Sequence, residues 1–275
     1  MNIDTFIEIW DKRLNDWMIK PGDTLNKCLG EDSRYFQSQY MPEPYLGNPK
    51  HSSFVIVNLN PGQGRCHSWY ELKDKIGTLI NAVKRKNYSK IALKFPYLHD
   101  EKDLGLIKWE ENEARKWWKR KENWIRYIYS NFATKTDFLD FSPFAIELNG
   151  WHSEKWPKSL TSKIKNNNKE TNEIADIIYE AIDNSQFKFA YCVGKPIGDI
   201  LKCKFQKEIP LNFEKERDGY RPILNIKRYY RVYHDRQGHC LINTWAQGSN
   251  SYPSKKFWPI EKDIIQQIKK LLRSE

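Results

Sequence analysis

The chain has 275 residues, 39% of them hydrophobic, and 46 basic against 35 acidic side chains give a net charge of +11. That length can bury a sizeable core, and that apolar share excludes an intrinsically disordered chain. The charge attracts polyanions, because phosphate contacts dominate nucleic-acid affinity, and taken alone reads equally as a basic proteome or a solubility device.

The opening MNIDTFIEIW lacks a basic stretch followed by an apolar run, so no signal peptide is expected, and no apolar stretch approaches membrane-spanning length. The five cysteines, Cys28, Cys66, Cys192, Cys203 and Cys240, are scattered, odd in number and free of metal-ligand spacing. A reduced cytoplasmic setting is expected, without disulfides, metal or cofactor. Eleven Trp and fifteen Tyr add aromatic surface that can stack on unpaired bases, although most should be core.

In chain order, Ile3, Phe6, Ile7, Trp10, Leu14 and Trp17 repeat at helical spacing, and Pro21-Gly22 stops that helix. Residues 23 to 50 read as irregular. Phe54-Val55-Ile56-Val57 is a continuous apolar run, the pattern of a strand buried on both faces in a parallel sheet. It breaks at Asn60-Pro61-Gly62-Gln63-Gly64, and a helix with Leu72, Ile76, Leu79, Ile80 and Val83 on one face follows. Residues 84 to 130 hold much of the basic and aromatic excess, including Arg115 to Lys121. They read either as an amphipathic helix with a solvated face or as an insertion lying along a DNA backbone. A second strand is expected at Thr136 to Phe141, a helix face at Ile174, Ile177, Ile178 and Ile182, and a third strand at Phe189 to Val193. Tyr229 to Tyr233 and Cys240 to Asn243 flank a turn and read as a hairpin. Pro259 opens a last helix with Ile264, Ile265, Ile268, Leu271 and Leu272 as its core face.

The expected fold is α/β, with strands and helices alternating around a small, mainly parallel sheet. A single domain over residues 1–275 is expected, with an N-terminal helical extension over about 1–50 and a basic aromatic insertion over about 84–130. Ligands of such sheets sit at the carboxyl ends of the strands, near the switch in strand order. The loop from Asn58 to Gly64 should therefore face a cleft shared with Glu147 and the segment Thr244 to Ser249.

Asn58-Leu59-Asn60-Pro61-Gly62 resembles the first motif of the uracil-DNA glycosylase superfamily, in the Gly-x-Asn-Pro-Gly form of its mismatch-specific thymine/uracil branch. Pro44-Tyr45-Leu46-Gly47-Asn48-Pro49 is similar to what precedes that motif in uncharacterised bacterial members. Glu147-Leu148-Asn149-Gly150-Trp151-His152-Ser153 is similar to an E-L-x-x-aromatic-H-S stretch of the same group. The likeness runs over roughly residues 40 to 255 in order of elements, carried by these short motifs.

The resemblance implies a three-layer α/β/α fold and a monofunctional DNA glycosylase. Such an enzyme flips a nucleotide and hydrolyses the base–sugar bond through an oxocarbenium-like state. Asn60 would hold the attacking water, a task of positioning more than proton removal. Pro61 and Gly62 would set a turn that lets backbone approach the ligand. Glu147 would act as a base or touch base or sugar, and His152 would touch a phosphate or the leaving base. Asn58 stands where the motif has Gly and alters the pocket floor, and Phe141 or Trp69 would stack on the flipped base.

The family's second motif often reads His-Pro-Ser-Pro in the loop after the last sheet strand. The matching segment, Asn243 to Asn250, has no His. Gln247, Gly248 and Ser249 would contact the extruded strand, and Trp245 or Tyr252 would be a wedge. Lys116, Lys119, Arg120 and Lys121 are the candidate phosphate contacts. DNA is the expected partner, with no membrane and no obligatory protein partner. Both motifs depart from the uracil pattern, so a bulkier base is expected, such as a hypermodified cytosine of phage DNA excised in antiviral defence.

Three plainer readings stand beside this one. Asn-Pro-Gly is an ordinary turn sequence. The fold could also serve as a catalytically inactive module binding DNA or a nucleotide. Lastly, an unrelated nucleotide-processing α/β enzyme would share the pattern, although a dinucleotide-binding loop is disfavoured because His67 stands where the third glycine belongs.

Overall fold

The structure is a computed structural model that describes residues 1–50, 52–62, 68–74, 81, 85, 88–89, 121, 123–124, 126–128, 130, 143–185, 187–202, 207–209, 211–221, 227–235, 237–247 and 252–272. Its centre is four mutually parallel strands: β2 (Phe54–Asn58), β3 (Pro143–Glu147), β4 (Phe189–Val193) and β9 (Cys240–Ala246). They lie in the order β3-β2-β4-β9. Val55, Ile56 and Val57 have no exposed surface, the condition for a strand covered on both faces.

The sheet is mixed, not mainly parallel. β1 (Tyr45–Leu46) runs antiparallel beside β3. On the other side β8 (Arg228–His234) folds back on β9. The hairpin turn contains Gly238 at φ 83°, and so short a connection allows only antiparallel pairing. β7 (Gly219–Arg221), β6 (Glu214–Glu216) and the short β5 (Lys207–Glu208) extend that wing antiparallel.

Strand β3 starts two residues beyond the end of the strand expected at Thr136 to Phe141, a stretch outside the described residues. Pro143 is its first residue, a position where the missing N–H costs no ladder bond. Within residues 23–50, expected to be irregular, 23–35 are helical. Pro21 does not end helical structure; it sits at N1 of a new helix, where its fixed φ suits the first turn.

Helix α1 (Ile3–Ile19) is capped by Asn2, whose side chain accepts from Thr5 N at 2.8 Å. It buries Ile3, Phe6, Trp10, Leu14 and Trp17, the stripe its periodicity requires. Helix α2 spans Pro21–Leu29 and α3 spans Trp69–Leu72. The described residues between 121 and 130 are also helical. Then come α4 (Lys158–Asn166), α5 (Asn168–Asn184), α6 (Lys195–Leu201) and α7 (Trp258–Leu272).

Strand alternation assigns the helices to faces. Asn243 of β9 meets α6 so closely that a Cβ on Gly198 would lie 2.3 Å from its Oδ1. The next residue, Thr244, points the other way and pairs in register with Tyr230, whose hydroxyl donates to Glu261 of α7 at 2.9 Å. Helices α6 and α7 therefore cover opposite faces. The α1 segment is tied to the body by Ile3 N, which donates to Glu180 at 2.9 Å, and its apolar side chains join one continuous core. Among the described residues, no helix is long and apolar enough to cross a membrane.

Candidate functional site

The chain leaves β2 toward β3 on one side and leaves β4 toward β9 on the other. At such a switch the loops diverge and a crevice opens at the carboxyl ends of the strands. A cavity of about 980 Å³ lies there. Asn58, Asn60, Pro61 and Gly62 form one wall after β2, and Val193 and Pro196 contribute from the end of β4. Ser153, Lys155, Trp156 and Lys158 close a second side, and Tyr252, Lys255 and Trp258 a third, with Lys121 between. Two tryptophans and several lysines around one crevice suit a planar, anionic ligand.

The loop after β2 is locked from within. Gly62 sits at φ 85°, in the left-handed region that a side chain disfavours. The Asn60 amide, oriented to satisfy its neighbours, has Oδ1 accepting from Gly62 N at 3.2 Å, Ser153 N at 3.2 Å and Ser153 Oγ at 2.9 Å. His152 pins the same loop: its ring nitrogens lie 3.2 Å from the Gly62 carbonyl and 3.1 Å from that of Met41, with the Glu43 carboxylate at 3.6 Å. Burial alone would lower the His152 pKa, but the Glu43 carboxylate and these carbonyls outweigh it and hold it above the ordinary value. Two acceptors facing two ring nitrogens call for the protonated ring.

Beneath the cavity lies a buried polar array. Asn58 Nδ2 donates to Glu147 Oε1 at 2.7 Å, and Tyr252 OH donates to Asn58 Oδ1 at 2.6 Å. Burial holds the Tyr252 phenol well above its ordinary pKa, so it stays protonated and donates. Glu147 Oε2 has no hydrogen-bond partner among the described residues. Burial pushes the Glu147 carboxyl up to about 7, against the pull of Lys121 and of the Asn58 hydrogen bond. Burial also draws the Lys121 amine well below the usual lysine range, against the carboxylates of Glu147 and Glu43. Lys121 Nζ sits 4.2 Å from the centre of the Tyr252 ring.

The structure brings together Asn58, Asn60, Pro61 and Gly62 as expected, and corrects several other assignments. Lys121 is 1% exposed, so it is no surface contact for a DNA backbone. Its amine lies over the Tyr252 ring instead, 4.2 Å from the ring centre. Trp245 is no wedge: it lies within β9, 5% exposed, stacked on Tyr229 with ring centres 5.5 Å apart. Gln247 is exposed and is not among the described residues that line the cavity. Glu147 lies behind Asn58, off the cavity wall, and His152 spends both nitrogens on backbone carbonyls. Trp69 is likewise off the wall, its indole N–H donating to the Met18 carbonyl at 3.0 Å. Phe141, Ser249, Lys116, Lys119 and Arg120 lie outside the described residues.

Sequence reasoning missed Trp156, Trp258, Lys155, Lys158 and Lys255. A signal was present: Lys155-Trp156-Pro157-Lys158 and Lys255-Lys256-Phe257-Trp258-Pro259 each interleave lysine with tryptophan beside a proline at a helix start. No protein-family model matches this sequence, and neither does any curated protein or solved structure.

Proposed function

We propose that the chain is a DNA glycosylase that hydrolyses the bond between an abnormal or modified base and its sugar, leaving an abasic site. The observation that carries this reading is the cavity at the switch between β2 and β4, with Asn60 in its wall and aromatic and lysine side chains around it. Helices on both faces of the sheet support the three-layer α/β/α arrangement that the resemblance implies.

In this reading a nucleotide leaves the duplex and its base enters the cavity against Trp156 or Trp258, while Lys155, Lys158 and Lys255 meet the phosphates. Breaking the bond leaves positive charge on the sugar and negative charge on the base. A water near Asn60 completes the hydrolysis. At about 980 Å³ the cavity is at the upper end for small ligands, which favours a bulky base such as a hypermodified cytosine over plain uracil. The free thiols of Cys28, Cys192 and Cys240 suit the reducing cytoplasm proposed for the protein. An antiviral role belongs to the same proposal.

One observation favours a second reading, a binding module without catalysis. The Asn60 oxygen is already engaged by Gly62 N and Ser153 N, the atom to which a held water would donate. One experiment separates the two. The protein is incubated with DNAs carrying different modified bases, and products are tested for alkali-labile abasic sites. Strand breaks after alkali support the glycosylase. Retention of DNA without breaks in any substrate supports the binding module.

A further inference from the structure

Lys121 has a place in the site that neither the basic run it belongs to nor the resemblance assigns. We infer that Lys121 stabilises the departing base, taking the part left open by the absence of a histidine after β9. This rests on the glycosylase reading and names a further residue of the same site.

Three observations support it. Lys121 belongs to the cavity wall and is 1% exposed. A cation held in so dry a place acts on nearby charge with little screening, so its field reaches a ligand in the cavity without an exposed contact. Its Nζ stands over the Tyr252 ring at 4.2 Å, and Tyr252 in turn holds Asn58, which also lines the cavity. The cation is therefore fixed against the floor on which a base would rest. Finally, its counter-charge is half-spent. Glu147 has one oxygen on Asn58 and the other without a hydrogen-bond partner among the described residues, and its charge favours the protonated amine.

The step balances without a co-reactant. The C1′–N bond breaks and its electron pair goes to the base. The Lys121 ammonium faces that charge and can pass its proton to the base, leaving a neutral amine beside Glu147. Water adds to C1′ and its proton goes to solvent; a second proton from solvent restores the ammonium when the base leaves. The lowered affinity of this amine for its proton suits the transfer.

The test is the dependence of base release on the acidity of the leaving base, measured in single turnovers. The probes are oligonucleotides carrying at one position a series of 5-substituted pyrimidines, from electron-withdrawing fluoro and carboxyl groups to electron-donating methyl and hydroxymethyl groups. In the wild type the dependence should be shallow. Lys121→Met should slow the least acidic bases by about a hundredfold and the most acidic by only a few-fold, whereas Lys121→Arg should keep the shallow slope. A role in folding alone would slow every base by one common factor. That result, or a steep slope in the wild type, overturns the inference, and the wild-type slope decides even if Lys121→Met does not fold. Absence of release from every probe by the wild type overturns the glycosylase reading itself, a different outcome from a slope that Lys121→Met leaves unchanged.

Discussion

Glu147 and Glu261 are both buried carboxyls on the same side of the sheet, and burial pushes each up to about 7. Their surroundings differ. Glu261 has both oxygens taken: Trp124 Nε1 donates at 2.6 Å and Tyr230 OH at 2.9 Å, with Tyr191 and Arg228 close by. None of these residues lines the cavity. Glu147 has one oxygen on Asn58 and one without a hydrogen-bond partner among the described residues, directly behind the cavity wall. The pKa displacement is thus the same where a charge is fully satisfied and where it is not. Satisfaction, not displacement, separates an acid that joins α7 to the sheet from one that supports a site.

Replacing Glu261 should have the larger effect on folding. Glu261→Ala leaves the Trp124 and Tyr230 donors buried without their acceptor and should cost about 3 kcal/mol, read as a lowered denaturant midpoint. Glu147→Gln keeps an acceptor for Asn58, and Lys121 can shed its proton, so about 1 kcal/mol is expected. If Glu147→Gln proves the more damaging to stability, the contrast between the two acids fails.

The two acids should also leave a pH signature. Each folded-state pKa lies above the ordinary 4.5, so each contributes stability that is fully present below pH 4.5 and is lost as pH rises through about 7. His152 adds to this trend: its pKa is raised, so its stabilisation is present below about 6.5 and fades as pH climbs through the higher folded value. Urea titrations between pH 4.5 and 8 should show a steeper decline in the wild type than in Glu147→Gln. Equal slopes would mean that Glu147 does not titrate in that window.

Tyr252→Phe removes the donor that fixes the Asn58 amide and should cost about 1 kcal/mol of stability. The smallest effect is expected at the cavity mouth. Lys155→Ala, Lys158→Ala and Lys255→Ala should each lower the slope of log affinity for DNA against log salt by about 1, since one phosphate contact is lost each time. An unchanged slope would remove these lysines from the DNA path.

Much of the parallel core could be read from the residues alone, because Phe54–Val57 and Phe189–Val193 are uninterrupted apolar runs that suit only strands covered on both faces. The hairpin was equally plain. Strand β3 was not read from the residues because Pro143 looks like a loop residue, and only the pairing of Phe54 with Pro143 shows that a proline begins it. The half of the site from Asn58 to Gly62 was legible because it is contiguous. The other half comes from four distant segments that only the topology gathers. Lys121 closes a basic run and reads as one more solvated charge, since nothing local tells that it is buried over the Tyr252 ring.

The central claim is that base release occurs in the cavity beside Asn60. The most direct measurement sets wild type and Asn60→Ala side by side on one panel of modified-base DNAs, with free base quantified in single turnovers and a thermal melt of each protein. The melt should fall modestly, because Gly62 N and Ser153 N lose an acceptor worth about 1–2 kcal/mol. Wild type should release base from at least one DNA, and Asn60→Ala, still folded and still binding that DNA, should be slower by about a hundredfold or more. Equal rates of release, or release by neither protein from any DNA, would contradict the claim.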